Sequence, residues 1–167
     1  MANTDENLKA AFAGESQASR KYLYFAEQAE KDGQSQVARL FRAASEAETV
    51  HARNHLNAMN GIGSVADNLK VAISGENYEF IEMYPDFITQ SKADKSKKAE
   101  ISFNWANKVE KIHFDLYSKA LKEVQSGKKL PGKLIYVCQN CGNTVEGDAP
   151  EVCPICGKPR DWFKKIE

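Results

Sequence analysis

The chain has 167 residues, and its Lys+Arg and Asp+Glu totals are both 23, so the formal net charge is zero. That length suits one medium domain, or one domain with a small module attached. The charge balance argues against nucleic acid or an anionic membrane as the main partner. No stretch approaches the roughly 18 apolar residues of a membrane span.

The acidic start, MANTDENLKAAFAGES, has no basic segment followed by an apolar run, so no signal peptide is expected. A helix is predicted over residues 5–31. Leu8, Phe12, Glu15, Ala18, Tyr22, Phe25 and Ala29 recur at steps of three and four. Asp5 and Glu6 suit its first turn, where they face the positive end of the helix dipole. Asp32-Gly33 stops it. A second helix is predicted from Ser35 to Met59, with Val37, Leu40, Phe41, Ala44, Glu48 and His51 on one stripe. Asn60-Gly61-Ile62-Gly63 ends it.

Residues 64–75 are less periodic, and Gly75 interrupts them. They are expected to carry the chain back along a ferritin-like bundle. A third helix is predicted from Glu76 to Ser91, kinked near Pro85, followed by a polar surface turn over Lys92 to Lys98. The fourth helix, Ala99 to Gln125, aligns Phe103, Ala106, Glu110, His113, Tyr117, Ala120 and Val124. The domain reading is therefore a four-helix bundle over 1–128, a linker over 129–134 and a Cys-rich module over 135–167. Some thirty-five residues cannot bury a sufficient core alone, so a metal is the expected staple of the tail.

Two of the three histidines follow a glutamate by three positions, in Glu48-Thr49-Val50-His51 and Glu110-Lys111-Ile112-His113. On a helix each pair shares a face. Glu15 and Glu48 lie on stripes that are otherwise apolar, where an unpaired carboxylate costs several kcal/mol. Glu15 lies 18 residues before Gly33 and Glu48 lies 15 after, a mismatch of about 4.5 Å of helix rise. Around Lys95, Glu79 and Glu82 lie 16 and 13 before, and Glu110 lies 15 after. Each hairpin thus brings its carboxylates level at mid-bundle. This is the pattern of a dinuclear metal site inside a four-helix bundle, with hard oxygens and imidazoles that suit iron or manganese. Five carboxylates, Glu15, Glu48, Glu79, Glu82 and Glu110, nearly balance two divalent ions. His55, a turn beyond His51, is expected to play a supporting polar role.

All four cysteines fall in Cys138-x-x-Cys141 and Cys153-x-x-Cys156, with Gly142 and Gly157 after the second of each pair. Two such knuckles direct four thiolates at one tetrahedral ion, iron or zinc. Without a secretion signal, the pattern reads as metal binding in a reducing cytoplasm.

The whole chain resembles the rubrerythrin family. Ala13-Gly14-Glu15-Ser16, Glu48-Thr49-Val50-His51-Ala52, the stretch from Tyr78 to Pro85, and Glu110-Lys111-Ile112-His113 carry the likeness. The tail is similar to that family's short rubredoxin domain. The resemblance implies a non-haem di-iron peroxidase that reduces hydrogen peroxide. Glu15, Glu48, Glu82 and His51 would serve one iron and Glu79, Glu110 and His113 the other, with Glu48 and Glu110 bridging. One iron would move between His51 and Glu82, and Tyr22 would donate a hydrogen bond to a carboxylate. Phe87 departs from the pattern where a second tyrosine is expected. The cysteines would hold a one-electron iron fed by an external donor, a NAD(P)H-dependent reductase or a rubredoxin. A head-to-tail homodimer or larger assembly is also implied. The alternatives are a dioxygen-using ferroxidase, and a non-catalytic helical adaptor with a structural zinc ribbon.

Overall fold

Asn3 and Glu6 form a reciprocal cap: the Asn3 side chain accepts the Glu6 backbone N–H and the Glu6 carboxylate accepts that of Asn3, both at 2.9 Å. From this cap α1 runs over Thr4–Lys31. Gly33 then turns the chain with φ of 73°, and α2 follows over Ser35–Ala58. In this computed structural model, which describes residues 3–167, the chain divides into two compact units at Gly63/Ser64.

The first unit is the α1–α2 hairpin. Small side chains line its seam: Ala26, Ala29 and Ala38 are buried, and Phe41 packs against them. The buried Ser45 hydroxyl donates to the Ser19 carbonyl at 2.7 Å, so the seam has a polar tie where the backbones run close. Arg42 pairs with Glu30 at 2.7 Å near the turn. Asn60, in the left-handed region at φ 54°, lies just beyond the end of α2.

In the second unit Ser64 caps α3, Val65–Tyr78, by accepting the Asp67 backbone N–H. A π-helical turn, Glu79–Met83, leads into α4, Tyr84–Ala93. Lys95, at φ 56°, turns the chain into α5, Lys97–Gln125. Both α3 and α4 pack along α5.

This corrects the reading of residues 64–75. They form helix rather than a return crossover. The Ser64–Asp67 cap starts them, and Gly75 continues the helix with open space where a Cβ would lie. A mid-helix glycine costs only about 1 kcal/mol, which packing against α5 offsets. The irregularity assigned to Pro85 also moves. Pro85 sits in the first turn of α4, where its missing N–H is harmless. The π turn before it is the true break, with the Tyr84 N–H reaching back five residues to the Glu79 carbonyl.

Residues 128–134 carry no regular structure. Beyond them β1 (Ile135–Cys138), β2 (Thr144–Glu146) and β3 (Phe163–Ile166) form an antiparallel sheet in the order β2-β1-β3. This module belongs to the second unit and touches α5 through β2.

Candidate metal centres

The four thiols meet between two equivalent knuckles. The Gly142 N–H donates to the Cys138 carbonyl and the Gly157 N–H to the Cys153 carbonyl, both at 2.9 Å. Gly142 (φ 82°) and Gly157 (φ 74°) occupy the left-handed positions that let the chain fold back after each pair. Cys138 Sγ lies 3.7 Å from Cys156 Sγ, and Cys141 Sγ lies 3.6 Å from Cys153 Sγ. A tetrahedron of bonds of about 2.3 Å has edges of about 3.8 Å, so the thiols already outline a tetrahedral ion's shell.

Burial pushes the Cys138 and Cys141 thiols up. Burial also raises Cys156, but hydrogen bonds from the Lys158 amide, the Asn140 side chain and neighbouring thiols outweigh it and bring it to about 7. The buried Asn143 amide donates to Cys153 Sγ at 3.7 Å. Thiols crowded this closely and supplied with N–H donors suit a metal that takes all four as thiolates.

Among the described residues the carboxylate–histidine groups are two, one in each unit. In the first, α1 supplies Glu15 and α2 supplies Glu48 and His51, with ligand atoms all within 4.8 Å. His51 Nδ1 lies 2.7 Å from Glu48 Oε2. The His51 side chain is 54% exposed.

The second group joins Glu76 of α3 to Glu110 and His113 of α5, again within 4.8 Å. His113 Nδ1 lies 2.8 Å from Glu110 Oε2 and 3.7 Å from Glu76 Oε1. These side chains are only 15–27% exposed. Burial drives the Glu76 carboxyl from its ordinary 4.5 up to about 7, with Glu110 and Glu79 adding repulsion against the attraction of His113. Burial and Glu110 likewise raise Glu79. His113 is raised because its hydrogen bond to Glu110 outweighs the opposing effect of burial. Three half-buried carboxylates that repel one another beside an imidazole are a donor set that a hard cation relieves, so the residues fit a metal of the iron or manganese type.

The structure brings Glu15, Glu48 and His51 together, and sets Glu110 and His113 with Glu76. Glu82 is exposed and belongs to neither cluster. Glu76, absent from the predicted ligand set, stands with Glu110 and His113. The signal for it was a second i, i+3 pair, Glu76-x-x-Glu79. Glu79 is half-buried beside Glu110 and His113 without joining the closest set.

Tyr22 packs its ring against Phe25 and Phe41, at centroid distances of 6.2 and 6.1 Å, and makes no hydrogen bond to a carboxylate among the described residues. The tyrosine beside the second group is Tyr84. Burial raises its hydroxyl, and Glu110, Glu79 and Glu76 raise it further. Eight residues separate it from Glu76, which puts the two about 80° apart on a plain helix. The extra residue of the π turn shifts the phase by about 100° and leaves the two within about 20° of each other. Phe87 instead stacks on Tyr84 and Phe103, at 6.2 and 5.5 Å. His55 lies in the last turn of α2, outside both groups.

Thr144, which no sequence pattern singles out, links the module to the second group. His113 Nε2 lies 2.9 Å from Thr144 Oγ1, whose hydroxyl donates to the Gly142 carbonyl at 3.1 Å. Lys119 of α5 pairs with Glu146 at 2.6 Å on the same strand.

Residues 6–121 match the family model Rubrerythrin, and residues 136–164 match that of the rubrerythrin rubredoxin-like domain. Rubrerythrin-2 of Clostridium acetobutylicum is 34% identical, over 98% of this chain and 96% of that protein. Rubrerythrin of Nitratidesulfovibrio vulgaris is 31% identical, over 98% and 94%. Among solved structures, fully reduced, all-ferrous nigerythrin is similar at a TM-score of 0.59 and 32% identity, over 99% of this chain and 88% of that one. Nigerythrin in its mixed-valence state gives 0.58.

Proposed function

Because this chain belongs to the rubrerythrin family of di-iron oxidoreductases, with a ferritin-like helical domain and a rubredoxin-like domain, we propose that it is a non-haem di-iron peroxidase. It reduces hydrogen peroxide, with two electrons and two protons, to two waters. The observation that carries this reading is the adjacency of Glu76, Glu110 and His113 to the cysteine knuckle, across the single residue Thr144. An electron store that close to a metal-binding group suits a redox enzyme better than an adaptor with a structural ribbon.

Glu15, Glu48 and His51 would hold one iron, and Glu76, Glu110 and His113 the other. Glu79, beside Glu110 and His113, would be a further carboxylate donor of the second group. The His51 side chain is 54% exposed and its Nδ1 lies 2.7 Å from Glu48. Bound iron supplies Lewis acidity and electrons at the helical site, and a one-electron store among Cys138, Cys141, Cys153 and Cys156.

The chain's own residues handle protons and access. Glu76, raised to about 7 by burial and the neighbouring carboxylates in the metal-free chain, would give up its proton on taking the iron. Tyr84, kept neutral by burial and the surrounding glutamates, presents a hydroxyl donor to the same place. An external reductase or rubredoxin refills the cysteine site. A homodimer or larger assembly is the working state, supported by large apolar side chains left exposed in the single chain, such as Leu40 (68%) and Val71 (71%).

Peroxide consumption by the iron-loaded protein, driven by a chemical one-electron donor, tests the reading. Saturable turnover that falls strongly in Glu110→Gln is expected. Consumption no faster than that of free ferrous iron would overturn it.

A further inference from the structure

The two histidines are held differently. His51 and His113 both turn Nδ1 toward a carboxylate, at 2.7 and 2.8 Å. Only His113 has its second ring nitrogen engaged, by Thr144 at 2.9 Å. The Thr144 hydroxyl has one proton, and the Gly142 carbonyl at 3.1 Å can only accept it. That leaves the oxygen to accept from the ring, so Nε2 carries the N–H and Nδ1 is left to face Glu76 and Glu110.

We propose that Thr144 is a positioning residue: it clamps the His113 N–H and thereby presents Nδ1, in one ring orientation, as a metal donor. The clamp belongs to β2 and the ligand to α5, so it closes only when the cysteine module is seated on that helix. Lys119–Glu146 at 2.6 Å and Lys133–Glu146 at 3.4 Å hold the same strand. Gly142 fits close by, where an added Cβ would lie 3.7 Å from Val109 Cγ1. His113 and Thr144 also share the wall of a cavity of about 510 Å³ with Leu116, Tyr117 and Val137, among other residues. Its remaining charged side chain, Glu146, is committed to the two lysines. A valine at 144 therefore leaves the ring N–H to whatever water enters. The inference rests on His113 being a ligand, and is independent of whether peroxide is the substrate.

The test uses the full-length protein with zinc in the cysteine site and cobalt(II) in the helical sites. Thr144→Val keeps a β-branched side chain in the strand, and Thr144→Ser restores the hydroxyl. Proton NMR of the wild type should show a strongly shifted imidazole N–H that exchanges slowly with solvent. In T144V that exchange should speed up about tenfold, the scale of one lost hydrogen bond. Cobalt affinity of the same site should fall about 10- to 100-fold. T144S should restore both. An N–H in T144V that exchanges as slowly as in the wild type would overturn the clamp while leaving His113 a ligand. No shifted imidazole N–H in the wild type would remove His113 from the ligand set, and the clamp with it.

Discussion

Replacing Glu76 by Gln should make the metal-free protein more stable and the metal-loaded protein worse. In the metal-free chain, burial and two neighbouring carboxylates raise the Glu76 carboxyl from 4.5 to about 7. Such a rise corresponds to about 3 kcal/mol against the ionised form. The side chain is 17% exposed, and residual solvent and its attraction to His113 bring the usable part to about 1–2 kcal/mol. Glutamine removes that charge, so at pH 8 the metal-free E76Q protein should gain about 1–2 kcal/mol, or about 4–16 °C in the thermal midpoint of the second unit. At pH 4.5 the gain should largely vanish, because Glu76 is then protonated in the parent protein. Iron binding should move the other way: E76Q should lose one of the two helical irons. Glu82→Gln, at an exposed position outside both clusters, should change neither quantity. Calorimetry of metal-free protein at the two pH values, paired with iron stoichiometry, reads both effects. Loss of iron from E82Q with retention in E76Q would refute the ligand assignment.

The stability of the metal-free protein should fall as pH rises from about 4.5 to beyond 7. Glu76 and Glu79 are raised above their ordinary values and His113 is raised as well, so the folded chain binds more protons than the unfolded chain throughout that window. Glu30, Asp67 and Glu146, lowered by hydrogen bonds from Arg42, Ser64 and Lys119, act with the opposite sign and only below it. Denaturant titrations across pH check the slope, and bound metal should flatten it. Ala38→Leu should destabilise the first unit by about 1–3 kcal/mol, because Ala38 is fully buried against Ala26, Ala29 and Phe41. Limited proteolysis should then open residues 1–63 first, while the thiol tetrad of the tail keeps its metal affinity.

Local chemistry was legible in the sequence wherever a periodic pattern or a short spacing stated it. Glu15, Glu48 and His51 could be read because α1 and α2 are regular helices joined by a three-residue turn, so counting residues measures height. The cysteines could be read because each knuckle closes within five residues. Errors came where the helix departs from regularity. Gly75 looked like a break, although packing on α5 carries the helix through it, so the third helix was begun too late. The π turn at Glu79–Met83 adds a residue that periodicity does not reveal, and Tyr84, just after it, lies near Glu76, Glu79 and Glu110. Thr144 was beyond reach: its meaning lies in a contact with His113 from 31 positions away, and nothing in the sequence between them records it.

The central claim is that the helical site reacts with peroxide and draws its electrons from the cysteine site. An anaerobic single turnover tests it most directly. The iron-loaded protein is fully reduced and mixed with one equivalent of hydrogen peroxide, while the visible absorption of the oxidised cysteine-bound iron is followed, with dioxygen in a parallel arm. The account predicts rapid return of colour with peroxide and slow return with dioxygen. Faster return with dioxygen would make the protein a ferroxidase-type oxidase. No return with either, with zinc found in the tail, would contradict the electron relay.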